Sequence, residues 1–545
     1  MGNLRIAPWI SGEPTGNFDA SLSLSSSLAT MGNRKLRWFS FLETERTRMK
    51  IFIPLFLILT FPSAPLWAAQ THAEPFVAGE VLLRLLPKAS IEPIVENYPL
   101  EVSRRFKEKT FLLTMKETAG KATAEQTLDL IGQLREEPTV RYAEPNFLLF
   151  PDTEPNEFDP QGNPDFNENL VDAMTMIGAV DAWSRQTGNQ NLVVAVVDTG
   201  GDPDHEDVGT NQWVNAAEDL NGNGKLDEAD LNGRDDDGNG YVDDVYGWNF
   251  LRNTNDIFNR ADDLHGTHVA GTIGAQGNNG IGVAGVVWNV KIMRLAFLGS
   301  SQGSGTTANA IEAIDYAIDN GARLINASWG GGAYSDALKD AISRAADADI
   351  LFVAAAGNDG LDNDARPHYP SSYEVENILA VAAVDFNGNL AGFSNYGATS
   401  VDVAAPGVGI YSMNHQDGYS ELSGTSQATP HVTGAAALLL SAFPGLSAVE
   451  LKRALTGTVT TDTSLDGRVA TGGFIHVDRA YTCVASGFQS CDTIPNDESN
   501  DTGGRCSVLP SRRGTLLPLL FLLLLPFVQL RRFRSFRRWG MTFAP

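Results

Sequence analysis

Between about residues 171 and 482 the chain repeats one pattern: a short, wholly apolar run followed by a stretch with apolar residues at helical spacing. Residues 192–197, 290–295, 324–327 and 350–355 lack the alternation of a strand with one wet face. Each is therefore expected to be a strand covered on both sides. Between them, Ile311, Ile314 and Ile318 fall on one helical face, Gly321 stands where a C-terminal cap is wanted, and residues 334–348 read as another helix. Strands alternating with helices predict an α/β domain of three layers, a mostly parallel sheet with helices on both faces. Ligands of such sheets gather at the carboxyl ends of the strands.

The flanks read differently. Residues 75–150 carry strand signals at 81–85 and 140–149 and a helix signal at 124–134, as in a small α+β domain. Residues 151–170, rich in Pro, Asn and Asp, read as an exposed linker. Further upstream, Arg46, Arg48 and Lys50 precede an apolar run at 51–61, and small residues follow at Ala64, Ala68 and Ala69. That order predicts a secretory signal peptide at 49–69, with translation starting at Met49 and residues 1–48 an extension. Past residue 482, a cysteine-containing linker (483–510) leads to an apolar segment at 515–530 and an arginine-rich tail at 531–545. The arrangement fits either a membrane anchor or a C-terminal sorting signal on an exported protein.

Charge narrows the function classes. There are 66 acidic residues against 40 basic ones, a formal charge of −26, whereas nucleic-acid binding needs basic surface. The balance suits an extracellular enzyme or a cation binder. The three cysteines, Cys483, Cys491 and Cys506, all lie late in the chain. Cys483 and Cys491 can close a small loop in an oxidising compartment, leaving Cys506 odd.

Three short segments carry chemistry. Asp198 closes the run Val193-Val-Ala-Val-Val197 and is followed by Thr-Gly-Gly. His265 heads His-Gly-Thr-His-Val-Ala-Gly-Thr, and Ser426 lies in Gly424-Thr-Ser-Gln-Ala-Thr-Pro-His431 ahead of a small-residue helical run. A carboxylate, an imidazole and a hydroxyl are the parts of an activated nucleophile, and a helix N-terminus behind Ser426 favours developing negative charge. Zinc at His265 and His268 is the competing reading, but their spacing is three and no glutamate lies between them.

Taken together, these segments resemble the three signatures of the subtilases, subtilisin-like serine proteases, in that family's order Asp, His, Ser. The resemblance covers about residues 171–481 and extends to 75–150, where Val140-Arg-Tyr-Ala-Glu-Pro-Asn146 is similar to the last strand of subtilase propeptides. It implies a fold with a ferredoxin-like α+β propeptide before the protease domain, and a serine endopeptidase acting on protein or peptide substrates through an acyl-enzyme. It also implies a zymogen inhibited by its own propeptide. By that resemblance Ser426 is the nucleophile, His265 the general base, Asp198 its partner, and Asn358 the oxyanion donor. Ser328, Trp329, Gly330 and Gly357 would line the substrate cleft, the segment from Gly303 to Thr306 would pair with an extended substrate, and His368 would sit near the pocket floor. The small-residue lining implies a roomy, mostly apolar pocket. Gln427 stands where the family usually has methionine. A surface-displayed binding or adhesion module on an inactive scaffold is the rival reading.

One more motif is expected to hold structural Ca2+. Asp219, Asn221, Asn223, Lys225 (through its carbonyl), Asp227 and Asp230 follow an EF-hand-type loop, with glycine at the sixth position. Asp235, Asp237, Asn239, Tyr241 (carbonyl) and Asp243 repeat it sixteen residues later, with Tyr246 where the closing acid should be.

Overall fold

The computed structural model describes residues 75–116, 122–151, 168–258, 264–299, 303–489 and 491. The expected signal peptide, most of the linker, Cys506 and the apolar C-terminal segment lie outside them. Among the described residues, no helix is long and apolar enough to cross a membrane.

Residues 76–151 form β1 (Phe76–Leu85), α1 (Glu92–Asn97), β2 (Leu100–Arg105), β3 (Thr110–Met115), α2 (Ala124–Arg135) and β4 (Val140–Pro151). The strands are antiparallel in the order β2-β3-β1-β4, the split β-α-β plan of ferredoxin-like domains. Thr123 and Gln126 make a capping box at the start of α2, which buries Leu130, Ile131 and Leu134 against Val81, Leu83 and Leu113. This unit is called the prodomain below for its place in the chain.

The larger domain runs α3 (Glu168–Met176), α4 (Ala179–Trp183), β5 (Gly188–Asp198), α5 (Leu264–Gly274), β6 (Asn289–Ala296), β7 (Gly305–Thr306), α6 (Thr307–Asp319), β8 (Leu324–Ala327), β9 (Trp329–Gly330), α7 (Asp336–Asp347), β10 (Leu351–Ala355), β11 (Ile378–Val384), β12 (Val403–Pro406), β13 (Ile410–Asn414), β14 (Gly418–Leu422), α8 (Thr425–Ala442), α9 (Ala448–Thr456), β15 (Thr460–Thr461), β16 (Gly473–Phe474) and α10 (Val477–Ala485). Its main sheet has the order β15-β16-β12-β11-β10-β8-β5-β6 and is parallel except where β15 meets β16. The expected apolar runs are β5, β6, β8 and β10, four neighbouring strands at one end of this order with β6 at the edge, and β8 and β10 bury every residue.

Two apolar cores make the outer layers. One packs α5 and α8 on one face through residues such as Ile273, Val432 and Leu439. The other packs α6 and α7 on the opposite face through Ile311, Ile314, Leu338 and Ile342. Ser335 caps α7, so this helix starts two residues later than its sequence pattern implied. Gly321 takes φ +74°, the left-handed turn that ends α6.

Cys483 lies within α10, and its disulfide to Cys491 belongs to the first core, so the domain extends past the residue-482 boundary drawn from sequence.

Candidate active site

Asp198 is the last residue of β5, where a carboxylate leaves a buried parallel strand and is fully enclosed. Its Oδ1 accepts from His265 Nδ1 at 2.7 Å and from the Thr199 backbone N–H at 2.7 Å. The two segments are stitched together beside this bond. Gly266 N–H donates to Thr199 Oγ1 at 3.0 Å, and Asp202 N–H donates to Thr267 Oγ1 at 3.0 Å. Gly266 is needed there, since a Cβ would meet the Gly200 carbonyl oxygen. His265 is therefore held by its Nδ1 side, with Nε2 making no hydrogen bond among the described residues.

Ser426 is the second residue of α8, directly after the Gly424 cap, and is completely buried. Its Oγ donates to the Ser328 carbonyl at 3.0 Å, and Ser328 Oγ donates back to the Ser426 carbonyl at 2.9 Å. The hydroxyl thus faces β9 in this state, an arrangement that tightens toward the base only when substrate is in place. Asn358 follows β10, and its Oδ1 accepts from the Thr425 N–H at 2.9 Å. That bond fixes the carboxamide with its NH2 as the donating end beside the start of α8. The helix N-terminus and this amide are the kind of preorganised donors that stabilise an oxyanion.

His268 does not join His265. It is fully buried, its Nε2 bonds the carbonyls of Ile410 and Ser420 at 2.9 and 3.1 Å, and burial pushes its pKa down to about 3. It anchors the β13–β14 hairpin as a neutral imidazole, which removes the zinc reading. His431 is likewise buried, with its pKa pushed down to about 4.

The cleft is marked by an occupant from the same chain. The end of β4 lies between two edges: Leu148 and Leu149 pair with Thr306 and Gly305, and Phe150 and Pro151 pair with Gly330 and Trp329. The strand runs two residues beyond its sequence-derived end because these partners lie far along the chain. Gly330 lies on this second edge, and Ser328 directly precedes β9. Trp329 offers only its backbone: its indole is buried, donates to the Val197 carbonyl at 2.7 Å, and packs on Phe297 at 4.8 Å. Where a roomy, mostly apolar pocket was expected, the His368 imidazole stands against both Gly330 and Gly357.

The acidic loops are only partly as expected. In the first, Asp219 accepts from the N–H groups of Asn223 and Gly224, Asn223 Oδ1 from Lys225, and buried Asp230 from Leu220 and Asp227. Asn221 and Asn223 donate their amides to Asp227. These bonds set up the loop, but its carboxylates do not converge on one point among the described residues. In the second, Asp235 and Asp237 converge with Glu218, their oxygens within 4.8 Å of one another. Glu218 is fully enclosed, its Oε1 accepts from the N–H groups of Asp236 and Asp237, and its Oε2 makes no hydrogen bond among the described residues. Burial raises its pKa. An enclosed carboxylate oxygen aimed at two more carboxylates is what a hard divalent cation would satisfy. Asn239 Oδ1 is taken by the Tyr241 N–H, and Asp243 turns instead to the N–H groups of Asn232 and Gly233. Glu218, not Asp243, completes this group. It was missed because it lies before the first loop, outside any twelve-residue pattern.

Similarity to known proteins agrees with this geometry. The model of the subtilase family matches residues 189–481. The chain is 36% identical over 329 residues to a thermophilic serine proteinase of Bacillus sp. (strain AK1), covering 60% of this chain and 70% of that one. It is 37% identical to thermitase of Thermoactinomyces vulgaris, covering 52% of this chain and 85% of the relative. Among solved structures, fervidolysin from Fervidobacterium pennivorans, described as a keratinolytic enzyme related to subtilisin, aligns with a TM-score of 0.56 at 24% identity. That alignment covers 75% of this chain and 61% of the other, a likeness of fold. With a parallel α/β sheet, a carboxylate–imidazole pair at a strand end and a buried serine at a helix N-terminus, the chain belongs to the subtilase family and is a serine endopeptidase.

Proposed function

We propose that Ser426 attacks the peptide carbonyl while His265 takes its proton and Asp198, ionised, holds the imidazolium. The tetrahedral oxygen is received by the Asn358 amide and by backbone N–H at the head of α8. His265 then returns the proton to the leaving amine, and water repeats the sequence on the acyl-enzyme. The observation that carries this reading is the 2.7 Å Asp198–His265 bond, with a buried serine at the N-terminus of α8, the helix that shares a core with the helix bearing His265.

The enzyme is made as an exported zymogen, and residues 75–150 inhibit it until removed. Supporting this is β4, seated along both cleft edges in the manner of a bound peptide. Calcium stabilises the domain. Glu218, Asp235 and Asp237 would hold it, with the first loop as a second, looser site, and the ion would neutralise three close carboxylates. A location outside the cell or on its surface is supported by the signal-like N-terminal order of residues and by the apolar C-terminal segment, retained as an anchor or processed by sorting machinery.

The test compares wild type with Ser426→Ala. Wild type is expected to release residues 75–150 and digest casein, and Ser426→Ala to do neither, with a loss of at least about 10^4-fold in turnover. Equal behaviour of the two would favour the inactive-scaffold reading. Calcium chelation, and Glu218→Gln without chelator, are expected to lower the melting temperature of Ser426→Ala. A melt indifferent to both would remove the calcium assignment.

A further inference from the structure

The end of β4 shows where an extended chain lies relative to the site. Its pairs, Phe150 with Gly330 and Pro151 with Trp329, run antiparallel toward Ser328, whose carbonyl holds the Ser426 hydroxyl. A peptide continuing that ladder brings its next backbone unit level with the nucleophile. The side chain of that unit enters the space between Gly330 on β9 and Gly357, the residue before Asn358. Both walls lack a Cβ, and what stands against both is one imidazole. A Cβ added to Gly330 would lie 2.7 Å from His368 Nε2, and one added to Gly357 would lie 3.0 Å from the same atom.

Local bonds settle which ring nitrogen faces the cleft. Ser371 Oγ donates to the His368 carbonyl at 2.8 Å, so toward His368 Nδ1, at 3.3 Å, it acts as acceptor. The neutral ring therefore keeps its proton on Nδ1 and turns Nε2 toward the two glycine walls. Protonation converts Nε2 into a charged donor at the same place. The surrounding elements bring few other charges. Tyr334, Tyr369 and Tyr373 form a ring cluster on this side, and Lys339 reaches over the Tyr334 ring. Asp364 and Arg366 precede His368 on its own loop, Asp359 follows Asn358, and Asp336 opens α7.

Resting on the endopeptidase reading above, we propose that His368 determines the side chain before the cut and selects an acidic one. The preference strengthens as pH falls through the imidazole range. A protonated Nε2–H meets a Glu or Asp carboxylate by a charge-assisted hydrogen bond. A large aromatic side chain, by contrast, meets a polar ring in the space it would need. In the sequence, Pro151 is followed by Asp152. The chain's own cleavage is accordingly expected after Asp152, giving Thr153 as the new N-terminus.

The experiment uses processed enzyme and peptides identical but for Glu, Gln, Ala or Phe before the scissile bond, assayed at about pH 5.5 and about pH 8.5, on either side of an ordinary histidine. The Glu-to-Ala ratio of kcat/KM cancels any pH effect that acts on every substrate alike. That ratio is expected to fall about tenfold or more from the lower to the higher pH, the worth of one charge-assisted hydrogen bond. His368→Gln should flatten the ratio against pH, and His368→Gly should shift preference from Glu toward Phe, with thermal melting reporting that each variant is folded. A wild type that prefers Phe to Glu at both pH values, or folded variants that both keep the wild-type ratio, would overturn the proposal. If wild type cuts none of the peptides, the endopeptidase reading falls instead.

Discussion

The prodomain and the protease domain are built to different rules. The protease domain buries its sheet on both faces under two apolar cores, and residues such as Phe352, Val353 and Ile342 have no exposed surface. The prodomain has one apolar core of its own, and it meets α6 and α7 through both apolar contact and charge: Leu82, Leu112 and Leu149 are buried in the second core of the protease domain, with Phe106 and Tyr142 packed against it. Arg84 pairs with Asp340, Arg104 with Glu312, and Lys107 with Asp319 at 2.8 Å. Glu144 adds a polar plug. It accepts from the Ser335 hydroxyl and from the Asp336 and Ala337 N–H groups, at the open start of α7. An apolar core cannot be undone without unfolding, whereas ion pairs and a helix cap can be exchanged for water and salt. One region rests on enclosed apolar cores, whereas the other adds exchangeable ion pairs and a helix cap to its apolar contact.

Three measurements would sharpen or break that contrast. The largest effect is expected from Phe352→Ala, which empties a fully enclosed site and should cost the protease domain about 3–5 kcal/mol in denaturant unfolding. A loss below about 1 kcal/mol would mean that this core is not the dominant support. Next is the acid response of prodomain docking. Burial raises the pKa of Glu144 to about 7, and burial raises that of Glu312 to about 7 against the opposing pull of Arg104. Both ordinary values lie near 4.5, so docking takes up protons. It should be strongest below that value and weaken as pH rises through about 7. In full-length Ser426→Ala, where residues 75–150 stay attached, undocking of the prodomain read by limited proteolysis should increase across that window, and Glu144→Gln should flatten the curve. A pH-independent release would remove these two carboxylates from the account. The smallest effect belongs to Lys107→Ala. Its ion pair with Asp319 is exposed and screened, so prodomain retention should change by less than about 1 kcal/mol. An effect as large as that of Phe352→Ala would erase the distinction between the two regions.

The same contrast explains what could be read without coordinates. Asp198, His265, Ser426 and Asn358 were legible because each sits where a strand ends or a helix begins, and those boundaries are written locally in apolar runs and glycines. The parallel sheet was legible for the same reason. Glu218 was not, because it lies well before the loop motif that flags its partners Asp235 and Asp237. Nor was the inward turn of the Trp329 indole, since nothing in Ser-Trp-Gly-Gly says which side of a two-residue strand the ring takes. The reach of β4 to Pro151 was hidden too, as its partners are Gly305 and Gly330. The charge pairs that dock the prodomain link residues remote in sequence, and no local pattern announces them.

Trp329 has one further consequence. Its backbone forms the edge on which an extended peptide pairs, while its indole grips the carbonyl of Val197, the residue before Asp198. Peptide recognition and the seating of the catalytic carboxylate therefore share a single rigid joint. Binding energy gained at the second residue before the scissile bond can be spent on orienting the reacting groups. Peptides too short to reach that joint should be turned over more slowly, and not merely bound more weakly.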